Sequence, residues 1–119
     1  MSEREEKKIS SDTQQLFIQF QNFQQMLQSV LIQKENFSIQ KAEIENALSE
    51  LEKSKEGEDI FKIAGPILIK VNKDEITKEL LEQKESIELK LKSLNSQEEK
   101  LNTKIKELQE KLQTALMKK

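Results

Sequence analysis

Cysteine, histidine, tryptophan and tyrosine are absent from this sequence of 119 residues, which also has only two glycines and one proline. Without cysteine the chain can form no disulfide and no thiolate metal site, and without histidine it lacks the commonest general base and transition-metal ligand. The sequence also contains no glycine-rich phosphate loop. We therefore expect no enzyme activity, no cofactor and no metal site.

An excess of charge of one sign is also missing, because 20 basic and 22 acidic residues are interleaved and the net charge is −2. A nucleic-acid-binding protein would carry a clustered basic face, so we expect no nucleic-acid partner. The polar residues 1–10 lack the apolar core of a signal peptide, and no run approaches the roughly 18 apolar residues of a membrane span. These observations predict a flexible N-terminus over residues 1–10 and a cytoplasmic protein with no membrane partner.

Charged residues make up 35% of the chain and helix breakers are few, which is typical of long helices or coiled coils. Residues 11–55 contain no glycine or proline, and Ser11 with Gln14 has the spacing of a capping box at a helix start. Apolar residues follow at every seventh position, with a second series between them at alternating steps of four and three. The first series is Leu16, Phe23, Val30, Phe37, Ile44 and Leu51, and the second is Phe20, Leu27, Lys34, Lys41 and Leu48. This heptad pattern predicts one helix of a coiled coil over residues 11–55, interrupted by two lysines.

Residues 56–71 have a different pattern, because two runs rich in β-branched residues flank a turn sequence. The turn is Ala-Gly-Pro at 64–66, and the runs predict β-strands over residues 60–63 and 67–71. This segment is therefore interpreted as a linker followed by a β-hairpin.

The predicted hairpin would expose many apolar side chains if it stood alone. Alternation along the strands predicts Lys62 and Lys70 on one face with Leu68, and Phe61 and Ile63 on the other face. An isolated two-stranded hairpin is marginal in water, and its unpaired edges invite further strands. We therefore predict that the hairpin is the oligomerisation contact and joins an intersubunit β-barrel. The predicted contact residues are Ile60, Phe61, Ile63, Gly65, Ile67, Leu68, Ile69 and Val71.

Residues 72–117 return to the heptad pattern. Asn72 is a favourable N-cap, and Glu75 stands at the capping-box position. The seam positions are Leu80, Lys84, Ile87, Leu91, Leu94, Glu98, Leu101, Ile105, Leu108, Leu112 and Ala115. Because the connection is short, the two helices must return antiparallel. The predicted fold class is mainly α: a long antiparallel two-helix coiled coil with one β-hairpin between the helices. We expect the chain to form a single domain overall.

Aligning the seam positions of the two helices in antiparallel order predicts the register of the coiled coil. Leu16 would then lie opposite Leu112, and Lys41 opposite Ile87. A slip of one heptad is the alternative register.

Near the two chain ends, the apolar residues exceed what the seam requires. Phe17 and Ile18 join Leu16 and Phe20 on the first helix. The chain has no third helix to cover them, and exposed apolar clusters usually mark binding surfaces. The alternative interpretation is that these residues only complete the seam. The predicted tip residues for contact with unfolded protein are Leu16, Phe17, Ile18, Phe20, Leu112, Leu116 and Met117.

The segment FKIAGPILIKV, residues 61–71, resembles the hairpin motif of β-class prefoldin subunits, F/Y-K-x-x-G-x-x-L/M-V/I-K. The matching positions are Phe61, Lys62, Gly65, Leu68, Ile69 and Lys70. Residues 78–112 are similar to the second helix of that family, including the Gln97-Glu98 step. The Gly-Pro pair at 65–66 is closer to the eukaryotic subunit-six type, whereas the last helix looks more archaeal.

The resemblance implies a heterohexamer of two α-class and four β-class subunits, whose hairpins form a double β-barrel from which the coiled coils project. It also implies an ATP-independent holdase chaperone. Such a protein binds unfolded client proteins at the coiled-coil tips, prevents their aggregation and delivers them to a group II chaperonin.

Two other classes of protein are alternatives to this interpretation. A structural or tethering coiled coil with no client binding would explain the heptads but not the hairpin. A helical arm that grips RNA would need a basic face, which the balanced charge does not provide.

Overall fold

The computed structural model describes residues 10–117, so the predicted flexible N-terminus lies outside the described residues apart from Ser10. Helix α1 spans Ser11–Lys53, strand β1 spans Ile60–Ala64, strand β2 spans Ile67–Val71, and helix α2 spans Lys73–Met117. The predicted fold class is confirmed, because two long helices flank a single antiparallel hairpin.

Side-chain caps define three of the four helix ends. The backbone N–H of Thr13 donates to Ser10 Oγ at 3.1 Å, so the N-cap of α1 is Ser10 and the prediction of Ser11 was wrong by one residue. The helix ends at Lys53, two residues before the predicted end, where the Ser54 hydroxyl donates to the Leu51 carbonyl at 2.6 Å.

The start of α2 is capped as predicted. The backbone N–H groups of Asp74 and Glu75 donate to Asn72 Oδ1 at 2.9 and 3.1 Å. These bonds satisfy two of the donors that the first turn of a helix leaves without partners. Asp74 and Glu75 also place negative charge at the positive end of the helix dipole.

The contacts group into two compact units, and each helix contributes one part to each. The first, called here the terminal unit, comprises the described residues 10–33 and 94–117. The second, called the hairpin unit, comprises residues 34–93.

In the terminal unit the two helix segments run antiparallel. Leu16 and Ala115 line one cleft between the segments, and Phe23 and Leu108 line another. Residue numbers therefore increase along the α1 segment as they decrease along the α2 segment. The buried side chains of this unit are Thr13, Val30, Leu94, Leu108 and Leu112. All but Thr13 are predicted seam positions, so the heptad pattern locates the core.

In the hairpin unit, ion pairs between the helix segments report the register. Lys41 Nζ lies 3.5 Å from Glu88, which is next to the predicted opposite residue Ile87. Lys84 Nζ lies 3.8 Å from Glu45. The predicted register is therefore confirmed in this unit, without a heptad slip.

Strands β1 and β2 pair in a register closed by the two-residue turn Gly65-Pro66, where Gly65 has a φ of 60°. Lys62 lies opposite Ile69, and Phe61 lies opposite Lys70. Since opposed residues of an antiparallel pair share a face, Lys62 and Lys70 lie on different faces. The prediction that they share one was wrong.

Candidate functional site

The hairpin exposes apolar side chains on both faces, since Ile67 is 57% exposed and Ile69 is 44% exposed on the face that carries Lys62. The opposite face is called here the outer face. This outer face consists of Phe61, Ile63, Leu68 and Lys70, as the strand pairing requires. Ile63 is 76% exposed and Leu68 is 67% exposed, although both are large apolar side chains. Exposed apolar patches of this kind usually mark contacts with another protein.

The hairpin also has unpaired strand edges. The described residues contain one sheet of two strands, so each strand has a partner on one side only. Unpaired backbone N–H and C=O groups at a sheet edge are templates for a further strand. A two-stranded sheet alone is at best marginally stable, so the hairpin gains stability from any partner that extends it.

Polar contacts occur around the hairpin, and one of them joins a strand to a helix segment of the unit. Lys62 Nζ donates to Glu79 Oε1 on α2 at 3.2 Å, and Lys70 Nζ lies 3.1 Å from Asp59. Lys73 Nζ donates to the Ser54 carbonyl oxygen at 3.3 Å. Of these three contacts, the one between Lys62 and Glu79 joins β1 to α2. Asp59 and Ser54 lie in the linker between α1 and β1.

An open groove of about 450 Å³ lies where β1 meets the helix segments. The apolar lining includes the aliphatic side chains of Leu51, Ile60, Ile76 and Leu80, together with Phe61. Of these, Ile76 is buried and the other three aliphatic side chains are half-buried. The groove thus lies where the hairpin meets the helix segments, and side chains of both hairpin faces contribute to its lining.

The seven predicted tip residues all belong to the terminal unit, but they separate into two groups. Leu112 is buried, and Leu16 and Phe20 are half-buried, so these three extend the seam. The others are exposed and are called here the tip cluster: Phe17, Ile18, Leu116 and Met117. Met117 is 81% exposed, and methionine is the apolar side chain that adapts most easily to varied partners. A role of this cluster in client contact stays a prediction.

Sequence reasoning missed several further exposed apolar residues on the helices. On α1 these are Met26, Leu31, Ile32 and Ile39, and on α2 they are Leu81 and Leu89. The sequence pattern could have identified them, because each of these apolar residues lies outside the two series of seam positions. Apolar residues at such positions do not belong to the core between the helices.

Two other kinds of feature, a metal-binding cluster and a membrane span, are absent from residues 10–117. No group of three or more acidic, cysteine or histidine side chains in residues 10–117 is arranged to hold a metal ion. Neither described helix is long and apolar enough to span a membrane.

Known proteins match this chain over nearly its whole length. The family model described as prefoldin subunit matches residues 14–119. Prefoldin subunit beta of Thermococcus onnurineus is 41% identical over 108 residues, which cover 91% of this chain and 93% of that relative. Prefoldin subunit beta of Archaeoglobus fulgidus is 39% identical over 108 residues, with coverage of 91% and 93%. The crystal structure of the prefoldin beta subunit from Thermococcus strain KS-1 matches with a TM-score of 0.83 and 35% sequence identity, covering 94% of this chain and 98% of that one.

Proposed function

This chain belongs to the prefoldin family, and we propose from that premise that it is a β-type subunit of an ATP-independent holdase chaperone. In this proposal the assembled complex binds unfolded polypeptide at the tip cluster and prevents its aggregation. It then delivers the polypeptide to a group II chaperonin in the cytoplasm. No nucleotide, metal or other cofactor takes part in the proposed cycle.

The observation that carries the proposal is the exposure of the tip cluster, because Phe17, Ile18, Leu116 and Met117 remain accessible in the terminal unit. Unfolded proteins expose apolar side chains of many shapes. A cluster of flexible apolar side chains can contact them through hydrophobic burial without requiring a particular sequence.

The outer face of the hairpin supports the assembly part of the proposal. Membership of the family implies assembly with other prefoldin subunits. We propose a heterohexamer of two α-class and four β-class subunits, in which each hairpin extends its sheet with strands of its neighbours. Burial of Ile63 and Leu68 between subunits would contribute hydrophobic stabilisation that the isolated hairpin lacks.

A structural coiled coil that tethers other proteins and binds no client is the second candidate function. It is favoured by the long helices alone. It leaves the exposed outer face and the exposed tip cluster without a role, so we place it second.

The proposal is tested by mixing the chain with an α-class prefoldin subunit and measuring native mass. The isolated complex is then added to chemically unfolded citrate synthase in the absence of ATP. We expect a complex heavier than either subunit and reduced light scattering from the diluted enzyme. The chain without its partner is the control and is expected to protect less. Assembly without any protection would contradict client binding and favour the tethering function.

A further inference from the structure

One face of α1 in the terminal unit carries no charge. Between Asp12 and Lys34 the helix contains no acidic or basic residue, although 35% of the chain is charged. The segment instead contains eight glutamines. In the same unit, α2 carries acidic and basic residues throughout, so the absence of charge is a property of α1 alone.

Within this segment a second regular stripe runs along the helix, separate from the seam. Its residues follow steps of four and three, and all of them are exposed. This outer stripe consists of Gln14, Ile18, Gln21, Gln25, Gln28 and Ile32. A heptad spacing keeps residues on one face of a helix, so the stripe is continuous.

The local structure of the stripe supports a contact surface. Gln25, Gln28 and Ile32 line a shallow depression together with Ser29 and Gln33. Gln33 Nε2 donates to Ser29 Oγ at 3.2 Å, so that amide is already engaged. Within the described residues the amides of Gln25 and Gln28 have no hydrogen-bond partner in the protein. They are available to a partner.

We propose that the outer stripe is a second client surface, which holds an extended, apolar and uncharged segment of the polypeptide bound at the tip cluster. The proposal rests on the proposed function and adds the extent of the site and the chemistry of its occupant. Ile18 belongs to both surfaces, so the stripe continues directly from the tip cluster.

Charge and hydrogen bonding favour this occupant. An apolar segment that docks on the stripe displaces water from no charged side chain, so the desolvation penalty is small. Each glutamine amide offers both donors and an acceptor, which match the unpaired N–H and C=O groups of an extended backbone. A neutral surface also exerts no strong repulsion on clients of either net charge.

The dimensions set the length of client required. Ile18 and Ile32 are fourteen residues apart on α1, which is about 21 Å at about 1.5 Å per residue. An extended polypeptide covers that distance with about six residues. A client must therefore exceed the short segment held at the tip cluster before it reaches Ile32.

The test compares two neutral, fluorescein-labelled peptides rich in leucine and serine, one of about four and one of about thirty residues, of which only the longer can reach from Ile18 to Ile32. Binding to the assembled complex is measured by fluorescence anisotropy for the wild type and for Ile32→Lys. The matched control is Leu81→Lys on α2, because Ile32 is 52% exposed and Leu81 is 51% exposed.

We expect Ile32→Lys to weaken binding of the long peptide about five-fold through lost apolar contact, and to leave the short peptide unchanged. Leu81→Lys should change neither affinity. Equal binding of the long peptide by Ile32→Lys and wild type would overturn the inference. A changed complex mass for Ile32→Lys would assign the stripe to subunit contacts and also overturn it. If the wild type binds neither peptide, the proposed function itself fails and the inference with it.

Discussion

At the scale of single residues, the lysines at seam positions make contacts that an apolar seam residue cannot. Lys41 and Lys84 direct their ammonium groups to Glu88 and Glu45 on the opposite helix segment of the hairpin unit. Their side chains are 30% and 28% exposed, so the stems cover apolar surface while the charged heads reach water. Exposed pairs of this kind add little stability. They favour the observed register, because a slipped helix would separate both pairs.

Asn72→Ala tests the helix cap of α2, because the amide oxygen of Asn72 accepts hydrogen bonds from two backbone N–H groups. We expect the free energy of unfolding of the assembled complex to fall by about 1 kcal/mol per subunit. The loss is measured by urea unfolding followed by circular dichroism. Asn95→Ala, at an exposed position inside α2, is the matched control and is expected to be neutral or slightly stabilising. Equal effects of the two substitutions would show that the cap contributes nothing.

At the scale of the elements, the hairpin differs from the helices in what stabilises it. Each helix buries a seam of apolar residues against the other within a unit. The hairpin has five residues per strand, a turn that needs the positive φ of Gly65, and an outer face without cover. Its contacts with the helix segments orient it, but its exposed apolar surface remains available for other subunits.

The double substitution Ile63→Ser with Leu68→Ser tests the outer face of the hairpin. The two residues lie directly opposite each other across the strands, so both leave the same patch. We expect the native mass to fall to that of unassembled chain, because the hydrophobic contribution to association is lost. Helix content by circular dichroism should stay unchanged.

The matched control for the hairpin is Leu81→Ser with Leu89→Ser, since both leucines are exposed on α2. These changes remove similar apolar surface elsewhere in the hairpin unit and should leave the mass unaltered. Normal assembly of the hairpin variant would mean that the outer face is not a subunit contact.

At the scale of the whole molecule, the three candidate surfaces are divided between the two units. The outer face of the hairpin lies in residues 34–93, whereas the tip cluster and the outer stripe lie in the terminal unit. The units differ in chemistry as well, because the uncharged segment of α1 lies entirely in the terminal unit. Assembly and client contact should therefore be separable by mutation.

Phe17→Ser with Leu116→Ser tests that separation. Both side chains are exposed, so the change removes apolar contact surface with little effect on the core. We expect the affinity for an unfolded probe protein to fall about ten-fold, while the native mass of the complex stays that of the wild type. Fluorescence anisotropy and native mass spectrometry provide the two measurements. Loss of assembly in this variant would show that these residues are structural.

The order of the elements was predictable because its signals are local. Heptad spacing identified both helices, and turn residues between β-branched runs identified both strands. The end of β1 was placed one residue short, and the cap of α1 was misplaced because Ser10 and Ser11 are adjacent and equally suitable. The prediction of which hairpin residues share a face was wrong, because alternation along one strand does not determine which residues of the next strand lie opposite.

What the sequence by itself determined is the periodic part of this protein: two amphipathic helices, one hairpin and the seam positions, because a repeat requires no knowledge of distant contacts. Tertiary structure alone decided which apolar residues stay exposed. Leu112 is 6% exposed and Leu116 is 59% exposed, although both were predicted tip residues. The difference depends on which side of α2 faces the other helix. The pairing of β1 with β2 likewise placed Lys62 and Lys70 on different faces. The packing of the tertiary structure also left Ile63, Leu68 and Ile32 exposed and accessible to a partner.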